Sequence, residues 1–212
     1  MDFEAARARL IDYLGIEISD QRVLAAMALV SRECFVPPES QHSAYEDRPL
    51  PIGLEQTISQ PYIIALMTQA LGLTGREKVL EVGTGSGYQA AILAKLARSV
   101  VTVERLAPLA EAARETLSRL GYPNVAVHLA GETLGWPDEA PYDAIMVTAA
   151  APRMPADLLA QLATNGRLVI PIGSRHVQEL YKITRRSTKN VVENLGGCCF
   201  VPLVGKDAWE EG

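Results

Sequence analysis

The sequence predicts an α/β fold: a doubly wound, mostly parallel sheet preceded by an N-terminal helical cap. Three observations carry this reading. From Lys78 onward, short and nearly continuous apolar runs alternate with segments of helical periodicity, the rhythm of parallel strands buried on both faces. The first of those runs, KVLEV at 78–82, leads straight into three alternating glycines, Gly83, Gly85 and Gly87. Upstream, apolar residues recur at helical spacing and then give way to a turn-rich stretch. A chain of 212 residues suits one domain, with 1–75 as the cap and 76–212 as the α/β core.

Taken in order, Phe3, Ala6, Leu10, Ile11 and Leu14 form one helical stripe over residues 2–14, closed by Gly15. Asp20 can cap a second helix, QRVLAAMALV. VPPES then breaks the pattern, and turn residues run to Pro61. Pro61 suits the first position of a helix continuing through YIIALMTQAL, with Ser59 or Gln60 at its cap and Gly72 past its end. After the strand at 78–82 a helix runs to Leu96. SVVTVE at 99–104 is the next strand, and a helix from Pro108 to Leu120 is closed by Gly121. VAVHLA (125–130), DAIMVTA (143–149) and GRLVIPIG (166–173) are further strands, with the helix PADLLAQLA between the last two. ELYKITRR (179–186) and CCFVPLV (198–204) read as two more strands at an antiparallel edge.

Composition narrows the function classes. With 48% hydrophobic and 21% charged residues, a sizeable core forms and bulk disorder is excluded. A net charge of −5 argues against a nucleic-acid partner, which favours a basic face. Cys34, Cys198 and Cys199 are odd in number and two are adjacent, a poor disulfide framework without metal spacing. They read as small buried residues, and no metal is expected. The chain opens without a signal-peptide core, and no apolar run approaches the roughly 18 residues of a membrane span. A soluble cytoplasmic protein without a membrane partner is the expectation.

Ligands of such sheets gather at the carboxyl ends of the strands, near the first strand–helix turn. Gly83 permits a sharp bend, while Gly85 and Gly87 remove side chains where backbone approaches a ligand or the next helix. The dinucleotide fingerprint G-x-G-x-x-G is not met, because position 88 is tyrosine. Glu81 places a carboxylate beside the bend, which repels a diphosphate and suits an ammonium group. Glu104, closing the second strand, suits two ribose hydroxyls. Amino group, ribose and adenine together describe S-adenosylmethionine. The competing reading is that the glycines serve packing alone.

E-x-G-x-G-x-G with an acid after the second strand resembles the class I S-adenosylmethionine-dependent methyltransferases, which share a Rossmann-like fold. A narrower resemblance surrounds it. LPIGLEQTISQPYIIALMTQAL, VLEVGTGSGYQAAILA, APYDAIMVTAAAP, GRLVIPIG and FVPLV closely resemble the protein-L-isoaspartate O-methyltransferases over residues 5–204. The resemblance implies methyl transfer from S-adenosylmethionine to the free α-carboxylate of L-isoaspartyl residues in damaged proteins, with D-aspartyl side chains as poorer acceptors. The ester then cyclises unaided to a succinimide that hydrolyses partly to aspartate, so the function is repair. The resemblance further implies a monomer whose partners are isoaspartyl peptides and proteins. It assigns cofactor contacts to Thr57, Glu81, Gly83, Thr84, Gly85, Gly87, Glu104, Arg105, Gly131, Glu132 and Thr148.

The family's T-I-S motif maps onto Thr57-Ile58-Ser59, and Ser59 is implied to position the acceptor carboxylate by donating a hydrogen bond. An α-carboxyl, with a pKa of about 3.5, is already a nucleophile at neutral pH and needs no general base. What remains is orientation. Ser59 is not read as a covalent nucleophile, since no His–Asp set accompanies it; His42, His128 and His176 read as surface or packing residues. The bland alternative makes Ser59 only the cap of the helix at Pro61. The family's G-D-G after the third strand is here Gly131-Glu132-Thr133, so Glu132 must fold back to reach an adenine amino group, or else is a solvated loop charge. Thr148 and Ala149 either touch ligand or pack, and FVPLV either closes over the peptide or is core. Lys182, Arg185, Arg186 and Lys189 read as solvated charges, and Trp136 and Trp209 receive no role. Three other functions compete: a methyltransferase for a small molecule or another carboxylate, an NAD(P)-dependent oxidoreductase, and an inactive cofactor sensor. The glycine spacing disfavours the second, and intact Ser59 and glycine loop disfavour the third.

Overall fold

The computed structural model describes residues 2–210. A hairpin of β1 (Leu50–Gly53) and β2 (Gln56–Ile58) precedes a seven-stranded sheet. That sheet comprises β3 (Lys78–Val82), β4 (Ser99–Glu104), β5 (Val125–Leu129), β6 (Tyr142–Val147), β7 (Leu162–Gly173), β8 (Gln178–Thr184) and β9 (Val191–Cys198). Their order is β5–β4–β3–β6–β7–β8–β9, the first five parallel and the last two antiparallel. The sheet begins in its middle at β3, winds out to β5 and returns to β6. The switch point, where sheets of this kind bind ligands, therefore lies between β3 and β6.

Burial on both faces explains the nearly continuous apolar runs. Val79, Val100, Ala144, Met146 and Val169 face a core shared with α1 (Phe3–Leu14), α2 (Gln21–Leu29), α3 (Pro61–Leu71) and α4 (Tyr88–Leu96), and with Leu117 of α5 (Ala107–Arg119). Their neighbours Leu80, Val101, Ile145 and Leu168 face the opposite core, with Leu158 of α6 (Ala156–Gln161) and Leu203. The N-terminal helices thus cover one face of the sheet. Pro61 opens α3 and Gly72 closes it at φ +56°, a left-handed conformation that suits glycine. Asp20 caps α2 by accepting from the amide of Arg22, as expected.

Several expectations are corrected. The turn-rich stretch contains the β1–β2 hairpin, whose two-residue loop puts Leu54 and Glu55 at φ +50° and +58°. Such loops favour Asn-Gly, so the sequence carried no signal for it. The helix expected over 155–163 stops at Gln161, and β7 starts at Leu162 rather than Gly166. A bulge in its pairing with β6, and Asn165 at φ +65°, absorb the irregularity. The last strand is Val191–Cys198, not 198–204; β9 is an exposed edge and lacks an apolar pattern. Residues 199–204 run irregularly, tied by isolated bridges such as Ala150 with Pro202. Arg185 is no solvated charge: its guanidinium donates to the carbonyls of Leu159, Ala160 and Leu162 and caps the end of α6. Cys199 is exposed and Cys34 and Cys198 are half-buried, against the expectation of three buried residues.

The approach to β3 stores acid sensitivity. The carboxylate of Glu77 accepts from the amides of Thr74 (2.9 Å), Gly75 (3.1 Å) and Arg76 (3.0 Å) and from the Thr74 hydroxyl. Burial alone would raise its pKa, but these donors outweigh burial and pull it down to about 2. A depressed folded pKa means that stability is present above the unfolded value of 4.5 and is lost as pH falls towards 2. Urea midpoints measured between those pH values should fall steeply for the wild type, and Glu77→Gln should lower the neutral-pH midpoint and flatten that acid limb.

Candidate active site

A cavity of about 700 Å³ opens at the switch point. The hairpin contributes Thr57, with Ser59 just beyond it; the glycine loop contributes Gly83, Thr84 and Gly85; and the end of β4 contributes Glu104 and Arg105. Gly131 and Glu132 line it after β5, Thr148 and Ala149 after β6, and residues 201–205 close the far side. Ser59 and nine of the eleven predicted cofactor residues therefore meet around one space. The irregular segment after β9 supplies Val201, Pro202, Leu203 and Val204 to the wall, while Leu203 also packs in the core.

The loop after β3 is held from outside itself. Gly83 sits at φ +102°, and a Cβ there would lie 2.3 Å from the Thr148 hydroxyl. That hydroxyl lies 2.6 Å from the carbonyl of Gly83 and 3.0 Å from that of Val82, to which it donates. The amides of Gly83 and Thr84 donate to the carbonyl of Val103. Gly85, at φ +53°, donates its amide to one oxygen of Glu104 at 2.8 Å, and Leu106 donates to the other at 3.0 Å. Glu104 thus ties the loop to β4 while lining the cavity, and each of its oxygens keeps a lone pair for a further donor.

Glu81 and Gly87 do not line the cavity. At Gly87, φ is +88° and a Cβ would press on Leu117 at 3.2 Å, so this glycine serves the packing of α4 against α5. Glu81 pairs with Thr102 across β3 and β4. It is fully buried, with one carboxyl oxygen accepting from the Thr102 hydroxyl at 2.5 Å. Thr102 in turn lies 2.6 Å from the hydroxyl of Thr84. The acid therefore braces the loop through two threonines. Burial drives its pKa up to about 8, helped by the charge of Glu104, against the lowering effect of Thr102. At neutral pH the group is mostly protonated.

Around Ser59 the structure adds residues that the sequence did not single out. Gln60 is the N-cap of α3 and makes no capping bond with its side chain. Instead Asp47 accepts from the amide of Tyr62 and from the side-chain amide of Gln60, both at 2.8 Å. Ser59 therefore does not cap the helix. Its carbonyl accepts from the buried guanidinium of Arg32 at 3.0 Å. The sequence offered no signal for Arg32, which stands between Ser31 and Glu33 in a mixed stretch. None of the three histidines lines the cavity. His128 stacks on Trp136 at 4.1 Å, and Trp209, stacked beneath Arg175, donates to the carbonyl of Ala150 near the mouth.

Two outcomes follow from this geometry. Gly83→Ala places a methyl on a hydroxyl in a strained conformation, so calorimetry should find S-adenosylhomocysteine affinity reduced at least about tenfold, with the chain still folded. For Glu81 the folded pKa lies above the unfolded value of 4.5, so its contribution is complete below pH 4.5 and is lost as pH rises to about 8. Denaturation midpoints of Glu81→Gln should lack that decline.

The family model for protein-L-isoaspartate(D-aspartate) O-methyltransferase matches residues 6–208. A protein-L-isoaspartate O-methyltransferase of Syntrophobacter fumaroxidans is 53% identical over 212 residues, covering 99% of both chains. One from Methanoculleus marisnigri is 54% identical over 193 residues, covering 91% of this chain and 88% of its own. A solved protein-L-isoaspartate O-methyltransferase superposes with a TM-score of 0.84 at 29% identity, covering 95% of this chain and 67% of the other. A Plasmodium falciparum structure assigned to the same activity, in complex with S-adenosyl-L-homocysteine, gives 0.80 at 27% identity and covers 95% and 97%. With this match along nearly its whole length, the chain belongs to the protein-L-isoaspartate(D-aspartate) O-methyltransferase family.

Proposed function

We infer that the chain transfers a methyl group from S-adenosylmethionine to the free carboxylate of L-isoaspartyl and D-aspartyl residues in damaged proteins, with Ser59 as the group that positions the acceptor. Relatives named for isoaspartate, 53% identical over 99% of this chain and 54% identical over 91% of it, favour this acceptor over a small molecule. The observation that carries the residue assignment is the meeting of Ser59, its side chain not engaged as a helix cap, with the glycine loop in one cavity.

The residues present fit the cofactor. The bare backbone at Gly83 and Gly85 leaves room for a close approach, and Glu104 faces the cavity with acceptor capacity to spare. When bound, S-adenosylmethionine supplies an electrophilic methyl group on a sulfonium. Glu104 accepts from ribose hydroxyls, and Glu132 from the adenine amino group. Thr57, Thr84, Arg105 and Gly131 complete the wall, and Thr148 acts through the carbonyls it holds. Glu81 and Gly87 support the loop from behind. Ser59 donates its hydroxyl to the acceptor carboxylate and aims one oxygen at the methyl group. No proton is lost from the acceptor, so no base is required. Ile58, Ile64, Met67, Val201 and Leu203 are among the apolar residues of the wall, which help to exclude water as opposite charges come together.

Cytoplasmic action as a monomer completes the proposal, with 1–75 as cap and 76–212 as core of one methyltransferase domain. Isoaspartyl peptides and proteins are its partners, without nucleic acid, membrane or metal. Among the described residues, no helix is long and apolar enough to cross a membrane. No group of three or more His, Cys, Asp or Glu among them is placed to hold a metal ion.

Labelled methyl groups from S-adenosylmethionine should appear on an isoaspartyl peptide and not on its aspartyl twin. Ser59→Ala should cut kcat/KM for the isoaspartyl peptide by about 10- to 100-fold, a loss typical of a misplaced reactant, with S-adenosylhomocysteine affinity nearly unchanged. Unchanged turnover would remove Ser59 from the reaction.

A further inference from the structure

Arg32 is fully buried, yet among the described residues it forms no ion pair within hydrogen-bonding distance. One arm of its guanidinium donates to the carbonyl of Ser59 at 3.0 Å and another to the carbonyl of Arg48 at 3.3 Å, while Nε has no partner among the described residues. The two carbonyls flank the β1–β2 hairpin, Arg48 just before it and Ser59 immediately after it. Leu50 pairs with Ile58, so both carbonyls belong to the hairpin's open end. The face of the same guanidinium lies 5.3 Å from the ring centre of Tyr88, the residue that follows the glycine loop and starts α4. One side chain thus joins the strand ends that carry the Ser59 hydroxyl to the helix that begins at the donor loop.

Stability alone does not account for such a residue. Burial of a charge is costly, and an apolar side chain of similar volume at such a place is often as stable or more so. Asp47, whose charge acts on Arg32, is engaged with Gln60 and Tyr62. The start of a helix, moreover, is an unfavourable end for a cation. What a guanidinium supplies here, and neither methionine nor lysine can, is a rigid planar fork that serves two carbonyls at once while its face rests on a ring.

We propose that Arg32 is a positioning residue for methyl transfer, fixing the Ser59 hydroxyl that orients the acceptor carboxylate relative to the glycine loop, by stapling the base of the β1–β2 hairpin to Tyr88. It touches neither substrate nor cofactor. The proposal rests on the repair reading given above.

The test compares Arg32→Met and Arg32→Lys with the wild type at a temperature well below unfolding. An isoaspartyl peptide is the acceptor, and S-adenosylhomocysteine is the probe for calorimetry. Displacement of a reacting group by about 1 Å costs about 100-fold, so Arg32→Met should lose roughly 30- to 100-fold in kcat/KM for the peptide. It should still bind S-adenosylhomocysteine one to one, with affinity within about threefold of the wild type, a small change on the scale of tenfold per 1.4 kcal/mol. Arg32→Lys, which can reach one carbonyl, should fall between the two. Should Arg32→Met not fold, the lysine variant carries the same comparison. Turnover equal to the wild type in either folded variant overturns the proposal. So does a loss of bound S-adenosylhomocysteine in proportion to the loss of turnover, which marks a merely structural role. Failure of the wild type itself to methylate the isoaspartyl peptide strikes the repair reading instead, and so the two failures are told apart.

Discussion

A loop that presents bare backbone at two of its positions has few side chains of its own to hold it. The rest of the site depends on that constraint. Gly83 and Gly85 adopt left-handed conformations that favour a residue without a Cβ, and an unrestrained glycine loop is the costliest kind of backbone to order. The neighbouring strands do the ordering. Thr148 reaches from β6 to the carbonyls of Val82 and Gly83, and Glu104 reaches from β4 to the amides of Gly85 and Leu106. Thr102, also on β4, meets Thr84 with Glu81 behind it. Each brace comes from a strand adjacent to β3, so the parallel order of the sheet is what places them.

The acceptor side solves a different problem. Its hairpin is short, and Leu54 and Glu55 occupy positive φ without the glycine or asparagine that normally relieves the strain. Further contacts reinforce its base beyond the pairing of Leu50 with Ile58. Arg32 and Asp47 do so from a segment earlier in the chain, one gripping the carbonyl of Ser59 and the other the amide of Tyr62. Donor and acceptor loops are therefore ordered by separate sets of contacts. Tyr88, which packs under Arg32 and beside Phe35, joins the two, and Ile52 of the hairpin also approaches Gly85 of the glycine loop.

How much of this the sequence discloses follows from how local each cause is. Strands β3, β4 and β6 are legible because both faces are buried, which leaves an unbroken apolar run. The glycine loop and Glu104 are legible because spacing fixes their place at strand ends. The β1–β2 hairpin is not, because its turn uses Leu54 and Glu55, residues that signal no turn. Nor is β9, whose first four residues are all exposed. The role of Asp47 depends on contacts 13 and 15 residues away, and that of Arg32 on one 27 residues away. No periodicity encodes such contacts. Glu81 shows the remaining kind of miss. Its place beside the bend is plain from the sequence, but which face of β3 it occupies puts it behind the loop with Thr102 rather than in the cavity.

The distribution of charge is consistent with the chemistry. Methyl transfer from a sulfonium to a carboxylate brings opposite charges together and cancels them, so a fixed ion beside the reacting atoms would stabilise one reactant more than the transition state. The structure keeps two ionisable groups out of that position by different means. Glu81, closest in sequence to the bend, is buried deeply enough to hold its proton at neutral pH. Arg32, closest in space to Ser59, lies outside the cavity and spends its donors on carbonyls. The charged carboxylate that the sheet does bring to the cavity beside the loop, Glu104, is neutralised in part by two backbone amides and sits at the end of β4 rather than beside Ser59. What is left next to the acceptor is a neutral hydroxyl, whose direction counts for more than its acidity. On the proposed reading, the placement of Ser59 by the hairpin's base matters more than the acidity of its hydroxyl.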